Sequence, residues 1–125
     1  MAVEPSCPAL VIHDDDVFRK ALIAKLDENN FTVTFATDDD SVTSLLDDRV
    51  EQFHVILVGI DVQKRPDAKS IEFLRENRER VRCGIILLGE PDPALRTFAP
   101  WADETLMKPV DPAYIVKRAR TYCSC

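Results

Sequence analysis

A doubly wound α/β domain built on one parallel five-stranded sheet is the fold class this sequence predicts, and three observations predict it. Short apolar runs alternate strictly with helix-period segments, five times over. Two of those runs, "HVILVG" and "CGIILLG", are continuously apolar, as central strands covered on both faces must be. The connections are short, which forces parallel neighbours with right-handed crossovers. The 125 residues make one domain, 1–125, with its core between about 9 and 122.

Each element follows in order. "ALVIH" (Ala9 to His13) is the first strand. "DVFRKALIAKLDENN" carries Phe18, Leu22, Ile23 and Leu26 at helical spacing and predicts an amphipathic helix. "FTVTFA" (Phe31 to Ala36) alternates apolar and polar, as a strand near an edge does. "DSVTSLLDDRVEQ" predicts a second helix with Asp40 or Ser41 as N-cap. "HVILVG" is the central strand, and a third helix lies near "SIEFLRENRER" with Ile71, Phe73 and Leu74 turned inward. "CGIILLG" (Cys83 to Gly89) is the fourth strand. Pro91, Pro93 and Pro100 leave room only for a short helix at 94–99. Glu104 to Met107 is a short last strand, and Asp111 with Pro112 starts the last helix as N-cap and first helical residue. Trp101 is either core cover or an exposed anchor, with core cover favoured.

The charge balance narrows the partners. A net charge of −6, with Lys and Arg dispersed except in "ENRERVR" and "VKRAR", argues against general nucleic-acid or anionic-membrane binding. No apolar run approaches the roughly 20 residues that span a bilayer. The N-terminus lacks the positive and apolar regions of a signal peptide, so the expected location is the cytoplasm. There the four cysteines, Cys7, Cys83, Cys123 and Cys125, are expected as reduced thiols. No C-x-x-C pair exists, and the terminal "CSC" reads as a frayed tail before it reads as a metal site.

Three stretches resemble the response-regulator receiver domain family, the CheY-like phospho-acceptor modules of two-component signalling. "LVIHDDDVFRKAL" resembles its first strand, acidic loop and first helix, "HVILVG" its third strand, and "ADETLMKPVDPAYIV" its last strand, Lys-Pro turn and last helix. The likeness runs from about Ala9 to Tyr122. It implies a flavodoxin-like (βα)5 fold with strand order 2-1-3-4-5. It also implies a site in which two acids hold Mg²⁺, an aspartate accepts the phosphoryl group, and a Thr or Ser and a Lys contact that group.

The chain departs from that pattern at several positions. The acidic pair becomes His13 and Asp14, leaving Asp14 as the one metal ligand of a weak Mg²⁺ site and making no bound cofactor the expectation. The acceptor position becomes Gly59 and the hydroxyl position Gly89. The aromatic residue often found in the last strand becomes Thr105, while Lys108 and Pro109 keep the Lys-Pro step. Asp15 and Asp16 read as solvated loop acids, and His13 as a hydrogen-bonded structural replacement. Lys108 is left to pair with Asp14 or to face solvent. Asp61 stays open as an alternative acceptor, because a slip of two residues preserves which face a side chain uses. Such a slip also carries the carboxylate about 6.6 Å along the strand, away from Asp14 and Lys108.

The expected function is therefore an atypical receiver, or pseudo-receiver: a phosphorylation-independent protein-interaction module and no enzyme. By resemblance its partner surface is the face of the fourth helix, fifth strand and fifth helix, including Thr105, Met107 and Tyr114. Substitutions there are expected to disrupt complex formation without unfolding the domain. The competing readings are a working receiver using Asp61 with Mg²⁺ at Asp14, and a flavodoxin-like cofactor binder. The acids of "HDDDV" oppose the last of these, since they repel a phosphate.

Overall fold

The structure, a computed structural model, describes residues 6–13, 15–37, 40–59, 68–89, 101–107 and 110–123. Its elements run β1 (Cys7–Ile12), α1 (Asp16–Glu28), β2 (Phe31–Ala36), α2 (Asp40–Arg49), a 3-10 turn (Val50–Gln52), β3 (Val55–Val58), α3 (Lys69–Glu76), β4 (Gly84–Gly89), β5 (Glu104–Met107) and α4 (Pro112–Arg120). All four strand pairs are parallel, in the order β2-β1-β3-β4-β5. The five parallel strands are those the alternation predicts, and their order is the one the resemblance implies. The short helix expected at 94–99 lies outside the described residues.

Strand periodicity divides the core into two layers. Leu10 and Ile12, Ile56 and Val58, and Ile85 and Leu87 point to one face, where Val42, Leu46, Ile71, Leu74 and Trp101 cover them. Ala9 and Val11, Val55 and Leu57, and Ile86 and Leu88 point to the other, beneath Leu22, Leu26, Ile115, Val116 and Ala119. Trp101 is core cover, 6% exposed. β3 and β4 are buried along their whole length, whereas edge strand β2 is buried only at Phe31.

Local chemistry sets the helix ends. Asp15, expected as a solvated acid, is the N-cap of α1: its side chain accepts from the backbone N–H groups of Val17 and Phe18 at 3.0 and 3.1 Å. Asn30 follows α1 with φ 66°, a left-handed turn that asparagine tolerates better than most residues. Asp111 caps α4 through the Ala113 N–H at 2.8 Å, with Pro112 at its first position, as expected. Helix α2 begins at Asp40, within one residue of the expected start.

A further expectation is overturned. The cysteines are not all reduced thiols: Cys7 and Cys123 form a disulfide, with Cα atoms 5.7 Å apart. The two lie 116 residues apart in sequence. They meet because α4 packs on the layer that holds the start of β1. Cys83 is a free, buried thiol. No described helix is long and apolar enough to cross a membrane.

Candidate functional site

In an open parallel sheet, ligand chemistry collects at the carboxyl ends of the strands, where the loops leave for opposite faces. Here β1 ends at Ile12 and β3 at Val58, and these two residues are paired in register. One step further, the Gly59 N–H donates to the Ile12 carbonyl at 2.7 Å and sets Gly59 beside His13. His13 is 3% exposed. A Cβ built on Gly59 falls 2.0 Å from Cδ2 and 2.6 Å from Nε2 of the His13 ring. The imidazole thus fills the space that a side chain at 59 needs.

Three neighbours fix that ring. The Asp15 N–H donates to His13 Nδ1 at 3.0 Å, so Nδ1 carries no proton and the ring is the neutral Nε2–H tautomer. The Phe18 ring stacks at a tilt, with centroids 4.9 Å apart. Arg19 reaches back from the first turn of α1 and donates through Nη1 to the His13 carbonyl at 3.0 Å. Its guanidinium also pairs with Asp16 and lies over the Phe35 ring, 5.1 Å from the centroid. Arg19 is therefore buried, at 9% exposure, although its charge gave no reason to expect it inside. Asp15 and Asp16 are committed to the helix cap and to Arg19, and neither is a spare metal ligand.

Gly89 closes β4, buried, level with Met107 of β5. Asp14, Asp61, Lys108 and Pro109 lie outside the described residues, as does any pairing between Asp14 and Lys108. Among the described residues no three His, Cys, Asp or Glu side chains converge as a metal site requires. What the described part offers at this end is a neutral imidazole, a backbone-bound guanidinium and glycine. That set contains no carboxylate.

On the β5 edge, Thr105 is half-buried, while Met107 and Tyr114 are 39% and 49% exposed. They are held by a fork: Arg118 of α4 donates through Nε and Nη2 to both carboxylate oxygens of Glu104, at 2.8 and 2.6 Å. Hydrogen bonding from Arg118 holds the Glu104 carboxyl below its ordinary range. The Tyr122 hydroxyl donates to the same carboxylate at 3.2 Å.

No protein-family model matches the chain, and no curated protein matches it. Solved structures do. A response regulator from Burkholderia multivorans superposes with TM-score 0.73 at 23% identity, over 93% of this chain and 94% of that one. A signal receiver domain from Bermanella marisrubri gives TM-score 0.73 at 21% identity, over 94% and 98%. The chemotaxis response regulator CheY4 of Vibrio cholerae gives 0.74 at 20% identity, over 94% and 98%. The fold is that of a CheY-like response-regulator receiver domain.

Proposed function

We propose that this chain is an atypical receiver in two-component or phosphorelay-type signal transduction, acting as a phosphorylation-independent protein-interaction module and not as an enzyme. The observation that carries this reading is the His13 ring in the space of a Gly59 side chain. Transfer to a carboxylate needs an acceptor at the end of β3 and positive charge to neutralise the incoming group. At Gly59 there is no acceptor, and the volume around it is occupied by a neutral ring.

The partner surface we assign is the β5 edge with α4, centred on Thr105, Met107 and Tyr114, and the partner is a protein. Two exposed apolar side chains on a rigid, ion-paired support favour it, since a few apolar anchors supply most of the energy of an interface. We place the domain in the cytoplasm, with neither nucleic acid nor membrane as its ligand.

The test is an amide NMR spectrum with and without Mg²⁺ and beryllofluoride, which mimics a phosphoryl group on aspartate. The expected spectrum is unchanged at His13, Gly59 and Gly89. Saturable shifts there, lost on Asp61→Asn, would replace this reading with a working receiver that uses Asp61 and holds Mg²⁺ at Asp14.

A further inference from the structure

The end of the sheet opposite the receiver site holds chemistry that a receiver does not need. Cys7 opens β1 and is 5% exposed, while its disulfide partner Cys123 is half-buried in the turn that follows α4. His54 lies immediately before β3, fastened to β1 by its backbone N–H on the Pro8 carbonyl at 2.9 Å. This brings its ring Nδ1 to 3.9 Å from Cys7 Sγ. Beside them is a cavity of about 430 Å³, lined in part by His54, Cys83, Gly84 and Tyr122. The Tyr122 ring lies against Gly84, so close that a Cβ there would sit 2.1 Å from Cδ1.

The two sulfurs are not equivalent. A thiolate arriving from solvent meets Cys123, because Cys7 is covered. The leaving sulfur is then Cys7, and the leaving sulfur is the one beside an imidazole. Thiol–disulfide exchange is faster when the leaving thiolate is stabilised, and a neighbouring histidinium stabilises a thiolate strongly. From this asymmetry we propose that Cys7–Cys123 is a reversible thiol–disulfide exchange site for a dithiol reductant, with His54 as the residue that assists departure of Cys7.

The step balances. A reductant thiolate attacks Cys123 Sγ, the protein S–S bond breaks, and its electron pair passes to Cys7 Sγ. The proton that Cys7 takes up passes through the His54 ring, which regains one from water. The reductant's second thiol then attacks its own sulfur in the mixed disulfide and releases Cys123, which is protonated from water. The protein gains two electrons and two protons, and the dithiol becomes a disulfide. Cys83 takes no part: burial pushes its thiol up to about 11, so it stays protonated and unreactive at neutral pH. Release of Cys123 unties Tyr122, the residue before it, from its seat on Gly84, and this couples the redox state to the shape of the cavity.

The chain carrying Cys125→Ser is equilibrated in glutathione buffers of graded ratio, quenched with acid, alkylated and mapped by mass spectrometry. Circular dichroism is followed in parallel. The expected result is a bond that opens and closes with the buffer while the fold persists, with amide shifts at Gly84 and Tyr122. Oxidised glutathione should label Cys123 in the Cys7→Ser chain at least roughly tenfold faster than Cys7 in the Cys123→Ser chain. His54→Gln should slow reduction of the bond roughly tenfold while leaving the labelling of Cys123 in the Cys7→Ser chain unchanged. The proposal is overturned by a bond that opens only when the protein unfolds, by equal labelling of the two sulfurs, or by aerobically purified protein in which all the thiols are free.

Discussion

At the scale of single residues, His13 and Gly59 form one feature. An imidazole fits beneath the β3 loop only because the neighbouring strand ends in glycine, and that glycine can accept no Cβ while the ring is there. Gly59→Ala is therefore expected to cost about 1–3 kcal/mol, the usual range for overpacking a filled site. In a His13→Ala background the penalty should fall below about 1 kcal/mol, and urea denaturation of the four chains gives the coupling directly. Additive effects would mean that the two positions do not compete for space. That His13 and Gly59 follow the ends of β1 and β3 was legible from the sequence. Their mutual exclusion was not, because it depends on the register that pairs Ile12 with Val58. Arg19 was missed for a different reason, since a charged residue in a first helical turn ordinarily faces water. The cap at Asp15 carried a usable signal, an acid directly before a helix-period run.

Among the elements, the central strands were the most legible and the ends of the helices the least. Continuous runs such as "GIILLG" leave a strand no solvent face and so reveal its place in the sheet. Helix α3 stops at Glu76, although its expected pattern ran on through "NRER". There the Asn77 side chain donates to the Phe73 carbonyl at 3.0 Å, and its backbone N–H donates to the same carbonyl at 2.9 Å. The attachment of α4 to β5 rests on the fork between Arg118 and Glu104. Because folding lowers the pKa of Glu104, the pair's contribution is complete above the ordinary value of 4.5 and is lost as pH falls through the lowered one. Glu104→Gln is expected to cost about 1–2 kcal/mol at neutral pH. The gap between the two chains should close under strong acid, as followed by thermal melts across a pH series. A gap that persists in acid would assign the effect to packing of β5 and not to the ion pair.

For the molecule as a whole, the fold class could be read from alternation alone, whereas the Cys7–Cys123 bond could not. A separation of 116 residues carries no local pattern, and the expectation of reduced thiols came from compartment and not from geometry. The bond also sets a limit on itself. Closing a loop of this length can add up to about 4.7 kcal/mol to stability in the chain-entropy model. By linkage, whatever the bond gives the fold, the fold returns by resisting reduction, on the order of 30 mV for each 1.4 kcal/mol. A bond that exchanges with cellular dithiols must therefore add less. The doubly substituted Cys7→Ser, Cys123→Ser chain is expected to melt within about 8 °C of the oxidised protein. A fall of more than about 15 °C in calorimetry would instead make the bond a permanent staple.

The same bond joins the first strand of the sheet to the turn after the last helix, so the polypeptide between them is a closed ring. One backbone cut anywhere between Cys7 and Cys123 leaves a single covalent molecule with two new ends. In the oxidised state such a nick amounts to a circular permutation of the receiver fold. In the reduced state the same nick leaves two fragments held together only by the packed faces of the sheet.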